Sequence, residues 1–480
     1  MIISCKNIIW TSREANSASG GESTSEWHAT GVSIDTRTLE PGDIFFALDG
    51  TRDGHDFVDE AFSKGAAVAV ISRRSRVKNE KKPLLVVHNV FDALNDLAKK
   101  ARTRTRAKII GVTGSAGKTS TKNILAFCLQ KFGKVHKAEK SYNNHLGVPL
   151  TLARLPKDTN FAVIEIGMSS KGEILPLTNL ARPHISIITT IGEAHLQNFA
   201  NLNEIAKEKS DICVGLLPNS ACIISRDIIN YKFLVDVVKN SGTRPISFGF
   251  DKRSDYRIIE INGSPKLTCA RVGLPSKEEL YLKVGAIGDH HALNALGAIA
   301  VMETLGLDPV QAVMGLERWT PGTGRGDFFK VNCNSERLNG EFFIIDDSYN
   351  ANPKSMLAAL QVLELACPAD NEELEEKRVR RIAVLGDMLE LGENELELHI
   401  SLIKSPHFNN IDLIHCIGMR MHSLYEQVPL EKKGKWFENV EKSFDFMKSS
   451  VRVGDIIMLK GSKAMRLEKL RDELSSLGLN

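Results

Sequence analysis

A strand–loop–helix pattern between residues 108 and 133 constrains the fold of this 480-residue chain more than any other feature. The apolar run IIGVTG ends in glycine, small residues fill 114–117, and KTSTKNILAFCLQKFG continues with helical periodicity. Backbone N–H groups in such a turn, together with a helix N-terminus, bind phosphate groups. The general pattern G-x-x-x-x-G-K-[ST] is not met, because Val112 stands where that pattern has glycine. The segment predicts the start of a βαβ unit that holds a nucleotide or, alternatively, a helix capped without a ligand.

Four side chains have the chemistry that a nucleotide site requires. Lys118 would reach the β- and γ-phosphates, and Thr119 would offer its hydroxyl to Mg²⁺. Glu165 ends the apolar run FAVIE, where a metal-binding carboxylate is expected, and His195 follows the apolar run HISIITTIG. Each of the last two has an ordinary alternative, because a glutamate that ends a strand is commonly a surface residue and a histidine is commonly a satisfied polar residue.

Three blocks of alternating strand and helix patterns indicate a multidomain α/β protein, as the length also requires. A basic segment at 102–108 separates a small first block from the second, in which apolar runs at 161–167 and 184–192 predict a parallel sheet covered on both faces. A Gly- and Pro-rich break at 320–327 precedes a third block with a doubly wound pattern. We expect both breaks to act as hinges in a domain closure.

Composition narrows the class of protein and its location. The net charge of +3 is too small to indicate nucleic acid as the main partner. The eight cysteines form no C-x-x-C pair, which favours reduced thiols in a cytoplasmic protein, and we expect neither a signal peptide nor a membrane span. The stretch 16–27 is typical of a flexible insertion, and the charged run 370–381 is typical of a solvated loop or helix end.

Further motifs, in order, make the chain resemble the Mur ligases, the ATP-dependent amide-forming enzymes of peptidoglycan precursor synthesis. Their phosphate loop has the form T-G-[STN]-x-G-K-[TS], which TGSAGKT at 113–119 fulfils. The other shared motifs span nearly the whole chain: DTRTLEPGDIFFAL, DGHDF, YNNHLGVPLTL, EIGMSSKGEI, IGEAHLQNF, IAKEKSDI, HALNALGAIAV, DDSYNANPKSM, VLGDMLELGE and KGSKAMRLE. Within the family, DDSYNANP and LGDMLELG are typical of the member that adds D-alanyl-D-alanine to a UDP-N-acetylmuramoyl-tripeptide.

The resemblance implies a domain organisation and a reaction. Residues 1–105 would bind the UDP end of the substrate, 106–321 would form a central ATP-binding phosphate-loop domain on a mainly parallel sheet, and 322–480 would form a Rossmann-like domain that receives the dipeptide. ATP, with Mg²⁺, would phosphorylate the tripeptide carboxylate, and the dipeptide amine would attack the acyl phosphate. The implied partners are these two substrates, and we expect a monomer.

The resemblance also implies roles for individual residues. For ATP they are Thr113, Gly114, Ser115, Ala116, Gly117, Lys118, Thr119, Ser120, Asn294, Arg325 and Asp347. For the two other substrates they are Thr36, Arg37, Asn143, Asn144, Tyr349, Asn350 and Asn352. Lys118, Glu165, His195 and Lys209 would be catalytic, and the metal ligands would be Thr119, Glu165, His195 and Lys209 if carbamylated. Ordinary alternatives stay open: a helix cap for Asn294, a linker charge for Arg325, a strand end for Asp347, and turns for the asparagines.

Lys207 and Lys209 could both belong to an exposed helical face, but the resemblance places Lys209 where several Mur ligases carry a carbamylated lysine. Three positions depart from the family pattern near the nucleotide: Thr190, His291 and Ala464. Two other functions stay open as alternatives, a ligase of the folylpolyglutamate synthase type and a nucleotide-binding scaffold without catalysis. The joint presence of the four catalytic candidates argues against the scaffold.

Overall fold

The computed structural model describes residues 8–74, 82–264, 266–367 and 379–478. Three β-sheets with flanking helices follow one another along the chain, and most neighbouring strands are parallel. The predicted α/β class with three domains is therefore confirmed. In the part of the chain that is described, no helix is long and apolar enough to cross a bilayer.

The first sheet and its helices form the N-terminal domain. Its elements are β1 (Trp10–Thr11), α1 (Ser12–Ser19), β2 (Glu22–Ser23), β3 (His28–Ala29), β4 (Gly31–Ser33), β5 (Asp43–Phe46), α2 (Val58–Ser63), β6 (Val68–Ile71), β7 (Leu84–Val86) and α3 (Val90–Arg104). The strand order is β2–β7–β6–β5–β4, with only β2 antiparallel to its neighbour, and β1 pairs separately with β3. Strands β5 and β6 are buried throughout, as continuous apolar runs in a parallel sheet require.

The stretch 16–27, predicted to be a flexible insertion, is instead part of this domain. Helix α1 covers its start, β2 pairs with β7, and Trp27 is buried with its indole N–H donated to Ser23 Oγ at 3.1 Å. The prediction was wrong because small polar residues are also frequent in short helices and edge strands, where a single aromatic side chain can anchor them.

The second sheet forms the central domain. Its elements are β8 (Lys108–Thr113), α4 (Lys118–Leu129), β9 (Val135–Lys137), α5 (Gly147–Ala153), β10 (Phe161–Glu165), α6 (Ile174–Ala181), β11 (Ile185–Ile188), α7 (Leu202–Ser210), β12 (Ala221–Ser225), α8 (Tyr231–Asn240), β13 (Arg244–Gly249), β14 (Tyr256–Gly263), β15 (Thr268–Gly273), β16 (Glu279–Val284), α9 (Asp289–Thr304) and α10 (Pro309–Val313). The order is β16–β15–β14–β13–β12–β11–β8–β10–β9, antiparallel only among β14, β15 and β16. Strand β8 lies between β10 and β11, where the order of the parallel strands reverses, and such a point opens a crevice for ligands.

The basic segment 102–108, predicted to be a hinge, is an anchored joint between the first two domains. Helix α3 includes Arg102, whose guanidinium donates to the carbonyls of Ala181 and Arg182 at 2.6 and 2.7 Å. Arg104 stacks on the Trp10 ring with its Cζ 3.7 Å from the ring centre. The first two domains also share one hydrophobic core. Arg102 thus binds the central domain, whereas Arg104 contacts the N-terminal domain, so free hinge motion here is not supported.

The third sheet forms the C-terminal domain. Its elements are β17 (Asp327–Asn334), β18 (Asn339–Asp347), α11 (Pro353–Leu365), β19 (Arg381–Gly386), α12 (Glu395–Ile400), β20 (Leu413–Ile417), α13 (Met421–Gln427), β21 (Lys433–Phe437), α14 (Phe444–Ser450), β22 (Ile456–Lys460) and α15 (Leu467–Ser475). The order is β17–β18–β22–β19–β20–β21, antiparallel only between β17 and β18, which gives a Rossmann-like sheet.

The break predicted at 320–327 lies in irregular backbone just before β17, and Gly324 and Gly326 have φ of 75° and 89°. Glycine adopts this backbone without strain, so the segment has the conformational freedom of a hinge. The charged run 370–381, predicted to be solvated, lies outside the described residues apart from its last three positions.

Candidate active site

The carboxyl ends of β8, β10 and β11 face a cavity of about 450 Å³ that the C-terminal domain also lines. Most residues predicted for the site line it: Ser115, Ala116, Gly117, Lys118, Thr119, Ser120, Asn143, Asn144, Glu165, His195, Asn294, Arg325, Asp347, Tyr349, Asn350 and Asn352. The predicted residues outside its lining are Thr36, Arg37, Thr113, Gly114 and Lys209. The volume is that of an ordinary ligand pocket.

The phosphate loop needs glycine at two positions. Gly114 has φ of 151°, and a Cβ there would lie 2.0 Å from Thr189 Oγ1. Gly117 has φ of 80°, and a Cβ there would lie 2.8 Å from Asn294 Oδ1. Both a left-handed backbone and close packing exclude larger residues. Gly114 and Gly117, rather than the missing glycine at 112, therefore shape this loop.

The loop is braced by the chain that leaves β11. Thr189 Oγ1 donates to the Ala116 carbonyl at 2.6 Å, and the Ser115 N–H donates to the Thr190 carbonyl at 2.8 Å. Ser115 Oγ also donates to the Gly192 carbonyl at 3.0 Å. Every one of these partners is a protein group, so the loop is held in shape without a ligand, which lowers the ordering cost of binding one.

Lys118 begins helix α4 directly after the loop. Its Nζ donates to the Gly114 carbonyl at 2.6 Å across the loop. Burial lowers the pKa of this ammonium, the Glu165 carboxylate opposes that shift, and the Arg325 guanidinium adds to it. Burial removes water that would stabilise this ammonium. A bound polyanion such as a triphosphate would supply electrostatic stabilisation in its place.

Thr119 and Glu165 meet beside the loop as predicted. Thr119 Oγ1 donates to the two Glu165 carboxylate oxygens at 2.9 and 3.1 Å, and Asn143 Nδ2 donates to Glu165 Oε1 at 2.8 Å. Adjacent oxygens around an octahedral Mg²⁺ lie about 3 Å apart, and Mg²⁺ prefers hydroxyl and carboxylate oxygens as ligands. The residues present therefore fit Mg²⁺, which Thr119 and Glu165 would hold.

His195 lies at the same cavity but contacts a residue of the C-terminal domain. Its Nδ1 forms a short hydrogen bond with Glu390 Oε2, and its backbone is left-handed with φ of 60°. Burial lowers the pKa of His195, and the charges of Lys118 and Lys209 lower it further while Glu390 opposes them. A neutral imidazole is the form that can bind a metal, but in this arrangement its Nδ1 is already engaged.

Lys209 is buried beneath the site near the end of α7, with 1% of its surface exposed, whereas Lys207 is exposed. The alternative of an exposed face thus applies to Lys207 alone. Burial places the pKa of the Lys209 amine well below its usual value, and the Lys118 charge adds to this shift. The neighbouring Glu208 accepts N–H groups from Gly172 and Ile174 at 2.7 and 2.9 Å. Burial therefore favours the neutral form of the amine, which is the form that carbamylation requires.

Asn294 is interior to helix α9, so the alternative of a helix cap is excluded. His290 lines the cavity beside it, and His290 Nδ1 is buried without a hydrogen-bond partner among the described residues. His291, one of the departures from the family, stacks on His290 at 4.0 Å and meets the Trp319 ring edge at 5.5 Å. This departure lies behind the cavity wall. Thr190 lines the cavity itself, and Ala464 lies outside it.

The segment before β17, the end of β18 and the loop after it bring C-terminal residues to the cavity. Arg325 Nη2 donates to Ser141 Oγ of the central domain at 2.8 Å, and its Cζ lies 3.9 Å from the Tyr349 ring centre. Asp347 accepts a hydrogen bond from Lys460 Nζ at 2.6 Å, although burial raises the pKa of this carboxyl. Arg325 is thus not a solvated linker charge. Asn352, by contrast, is the N-cap of α11, as the turn alternative expects.

The remaining substrate candidates occupy separate positions. Thr36 and Arg37 line a second cavity of about 340 Å³ in the N-terminal domain. Arg37 there pairs with Asp35. Asn144 Oδ1 accepts the N–H groups of residues 146 and 147 at 3.2 and 2.9 Å, as the turn alternative expects.

Sequence reasoning missed several polar residues that the fold brings to the cavity or to the residues that line it. Lys460, from the end of β22, pairs with Asp347, and Glu390 pairs with His195. Lys354 Nζ donates to the Ile191 carbonyl at 2.5 Å. Lys354 and Glu390 lie inside the motifs DDSYNANPKSM and VLGDMLELGE, so those motifs could have indicated them, but their partners are distant in the sequence.

Comparisons with known proteins agree with this architecture. Three family models match the chain: "Mur ligase family, catalytic domain" at 28–106, "Mur ligase middle domain" at 112–302 and "Mur ligase, glutamate ligase domain" at 334–463. UDP-N-acetylmuramoyl-tripeptide--D-alanyl-D-alanine ligase of Rickettsia prowazekii is 32% identical, covering 97% of this chain and 99% of that protein. The Bacillus subtilis enzyme of the same name is 33% identical, covering 92% and 93%.

Solved structures give the same result. A crystal structure of MurF from Acinetobacter baumannii has a TM-score of 0.80 and 28% identity, covering 97% of this chain and 99% of that one. MurF ligase from Thermotoga maritima in complex with ADP has a TM-score of 0.73 and 25% identity, covering 93% and 97%.

A phosphate-loop sheet domain and a Rossmann-like domain line one cavity, and together with these full-length relatives they place the chain among the ATP-dependent ligases. The chain belongs to the Mur ligase family. Its relatives over the full length are the ligases that join D-alanyl-D-alanine to UDP-N-acetylmuramoyl-tripeptide. The predicted family and enzyme class are confirmed.

Proposed function

We propose that this protein joins D-alanyl-D-alanine to a UDP-N-acetylmuramoyl-tripeptide, with ATP and Mg²⁺, and forms the pentapeptide precursor of peptidoglycan. The observation that carries the proposal is the cavity in which the phosphate loop faces Asp347, Tyr349, Asn350 and Asn352 of the C-terminal domain. Full-length similarity to ligases with this activity supports it. We assign the UDP end to residues 1–105, ATP to 106–321 and the dipeptide to 322–480.

The reaction requires two displacements in one cavity. An oxygen of the tripeptide carboxylate attacks the γ-phosphorus of ATP, and the bond to the bridging oxygen breaks to release ADP. The dipeptide amine then attacks the acyl carbon and loses a proton, and phosphate leaves. Phosphorylation is needed because a carboxylate has no acceptable leaving group, so the protein must neutralise charge and orient two anionic substrates and the dipeptide.

The side chains around the cavities suit these tasks. Lys118 would bind the β- and γ-phosphates in place of the Gly114 carbonyl, and Arg325 would approach ATP from the C-terminal domain. Mg²⁺, held by Thr119 and Glu165, would neutralise phosphate charge as a Lewis acid. Asn294 would bind the base, and Asn143 and Asn144 would bind the muramyl peptide. Thr36 and Arg37 would bind the uridine diphosphate in the second cavity.

Carbamylation of Lys209 is part of the proposal. Its neutral amine would attack CO₂, forming an N–C bond and releasing one proton to solvent, so that the neutral side chain becomes an anion. The new negative charge would lie close to Lys118 and His195, whose charges already interact with Lys209.

The test is an assay of ADP release with ATP, Mg²⁺, D-alanyl-D-alanine and a UDP-muramyl tripeptide that contains either lysine or diaminopimelate. We expect ADP release that depends on the dipeptide, with a pentapeptide product of the expected mass. Glutamate in place of the dipeptide tests the folylpolyglutamate synthase alternative, which predicts activity with glutamate and a folate. No dipeptide-dependent turnover with either tripeptide would contradict the proposal.

The variant Lys118→Ala tests whether turnover comes from this protein. It distinguishes catalysis here from activity of a contaminating enzyme and from a scaffold role without catalysis. Lys118→Ala should reduce turnover by about 10³-fold or more, because a transferring phosphoryl group loses its principal cation. The variant should keep the wild-type circular dichroism spectrum. Full activity in Lys118→Ala would exclude the phosphate-loop mechanism.

A further inference from the structure

Lys122 lies one helical turn after Lys118 on α4 and has no role in the proposed reaction. Its side chain is fully buried, with 0% exposed. Nζ donates to the Ala138 carbonyl and to the Lys140 carbonyl, each at 3.0 Å, and lies 3.5 Å from Glu165 Oε2. The ammonium thus joins the phosphate-loop helix to the segment after β9 and to the carboxylate that ends β10.

Three donors facing three oxygens match the charged form of this lysine. Burial lowers the pKa of Lys122, and the Glu165 carboxylate opposes that shift. An apolar side chain of similar length would fill the space without the cost of burying a charge, and buried ion pairs contribute little to stability for that reason. The charge therefore requires an explanation other than stability.

The segment that Lys122 holds leads directly to the cavity. Ser141 follows the second carbonyl acceptor, and its Oγ lies 3.1 Å from Thr119 Oγ1 and accepts a hydrogen bond from Arg325 Nη2 at 2.8 Å. Asn143 lies two residues further on and donates to Glu165. A shift of this segment would displace the predicted metal ligands and the predicted muramyl-peptide contacts together.

We propose that Lys122 is a positioning residue that fixes the segment 138–144 and the Glu165 carboxylate in one arrangement, so that the Mg²⁺ site and the tripeptide site form together. The proposal rests on the proposed function. It assigns Lys122 two separable tasks: its N–H groups hold the segment, and its charge orients Glu165.

Two substitutions separate these tasks. Lys122→Met removes both the N–H donors and the charge. Lys122→Gln replaces the ammonium group with an amide, which can donate to the carbonyls but carries no charge. We expect Lys122→Met to raise both the KM for the UDP-muramyl tripeptide and the Mg²⁺ concentration for half-maximal activity about tenfold or more. Lys122→Gln should restore the tripeptide KM towards the wild-type value but not the Mg²⁺ requirement. The KM for the dipeptide should stay within about twofold in both variants, since neither task concerns the C-terminal domain.

An exposed lysine that follows the other end of the same helix serves as a control. Lys131 Nζ also donates to backbone carbonyls, including that of Ala312 at 2.8 Å, but far from the cavity lining. Lys131→Met should lower the melting temperature and leave all KM values and the Mg²⁺ dependence unchanged. The proposal would be overturned if Lys122→Met changed every kinetic parameter equally while Lys122→Gln behaved as the wild type. Lys122 would then have a structural role only.

A binding readout keeps this test independent of the ligase assignment. Calorimetric titration with a non-hydrolysable ATP analogue at several Mg²⁺ concentrations should show that Lys122→Met needs more Mg²⁺ for the same affinity, whereas Lys131→Met matches the wild type. If the wild type binds the nucleotide but does not turn over the dipeptide, the proposed function fails, while the Mg²⁺ dependence still decides the role of Lys122. An unchanged Mg²⁺ dependence in folded Lys122→Met would contradict the inference.

Discussion

Gly114 explains at the scale of one residue why this phosphate loop departs from the general pattern. Its φ is 151°, and a Cβ at this position would lie 2.0 Å from Thr189 Oγ1, so there is room for hydrogen alone. The loop glycine that matters here is thus the one that packs against Thr189, which directly follows β11.

Substitution of Gly114 tests this explanation. Gly114→Ala should weaken binding of the ATP analogue about tenfold or more, because strain of roughly 1–3 kcal/mol and a steric clash both fall on the loop. The control is Gly242→Ala, where φ is 73° and no atom lies within 4 Å of the added Cβ. That variant should lose stability in a thermal melt through backbone strain alone and keep wild-type affinity, as measured by calorimetry.

Lys209 makes a prediction about pH and CO₂. Because its folded pKa is lowered, the unfolded state binds more protons between that pKa and the usual value of about 10.4, so the free energy of unfolding rises with pH across this window. The neutral, reactive fraction rises in the same direction. Enzyme that has first been depleted of CO₂ is then incubated at one fixed concentration of dissolved CO₂. We expect it to regain more activity, measured as ADP release, when the pH of this incubation is higher.

Controls for this prediction lie in the same helix. Lys209→Arg, which cannot be carbamylated, should lose about tenfold or more of kcat and should not respond to bicarbonate. Exposed Lys207→Arg should behave as the wild type. A wild-type rate that is independent of CO₂, together with no carbamate carbon signal in ¹³C NMR after incubation with labelled bicarbonate, would remove the carbamate from the mechanism.

Residues adjacent in the sequence to a strand end were predictable, whereas their partners were not. Lys118, Thr119 and Glu165 follow from the rule that parallel strands share one functional edge, and the structure brings them together. Lys122 is a buried lysine that donates to a carbonyl 16 residues away, and no local pattern indicates it. Lys460 opens the motif KGSKAMRLE, but its acceptor Asp347 lies 113 residues away. Their positions depend on tertiary packing alone.

At the scale of elements, the phosphate loop and the chain after β11 form one unit. Thr189 Oγ1 donates to the Ala116 carbonyl and lies 3.2 Å from that of Thr113, so a single hydroxyl ties the end of one strand to the loop after its neighbour. Since these bonds are already made, the loop does not have to be ordered when nucleotide binds.

Removing this hydroxyl should therefore reduce affinity and stability together. Thr189→Val should cost about 1 kcal/mol of unfolding free energy, because it removes the hydrogen bond to the partly buried Ala116 carbonyl, and should weaken nucleotide binding several-fold. Thr178→Val is the matched control: its Oγ1 donates to the Ile174 carbonyl at 2.9 Å inside α6, away from the loop. It should lower the denaturation midpoint in urea without changing nucleotide affinity.

Strand and helix alternation was enough to predict the sheets but not all element ends. The apolar runs at 161–167 and 184–192 contain β10 and β11, because both are buried on two faces. The stretch 16–27 was misjudged because edge strands and short helices carry few apolar residues, and its order depends on pairing with β7. Segment 102–108 was predicted to be a hinge, but the sequence of a basic helix end is the same whether its arginines face water or donate to the carbonyls of another domain.

At the scale of the whole molecule, the central and C-terminal domains are in contact around the cavity. Gln361 Nε2 donates to Asp289 Oδ2 at 2.7 Å, Lys354 to the Ile191 carbonyl at 2.5 Å, and Arg325 to Ser141 at 2.8 Å. The first two domains share a core, so the glycine-containing segment before β17 is where relative motion is expected. Closure would bring the dipeptide loop to the activated carboxylate.

The His195–Glu390 pair joins the central and C-terminal domains, and we expect it to stabilise a closed arrangement of the two. Both residues have left-handed backbones, with φ of 60° and 64°, which non-glycine residues adopt only when the surroundings hold them. Their side chains are 23% and 46% exposed, so solvent screens the pair and its contribution is about 1 kcal/mol or less. Such a value shifts an open–closed equilibrium up to about fivefold, which suits a contact that must break in each catalytic cycle.

Glu390→Ala should therefore favour the open arrangement. We expect a larger radius of gyration in X-ray scattering with the ATP analogue bound and a kcat lower by up to about fivefold, with nearly unchanged affinity for the analogue because the phosphate loop is untouched. Glu393→Ala, an exposed change three residues away, should leave both scattering and kcat as in the wild type. A wild-type radius of gyration with a normal kcat in Glu390→Ala would contradict this role of the pair. Closure would then depend on the backbone and aromatic contacts around Arg325, and His195 would be free to serve the metal site throughout the cycle.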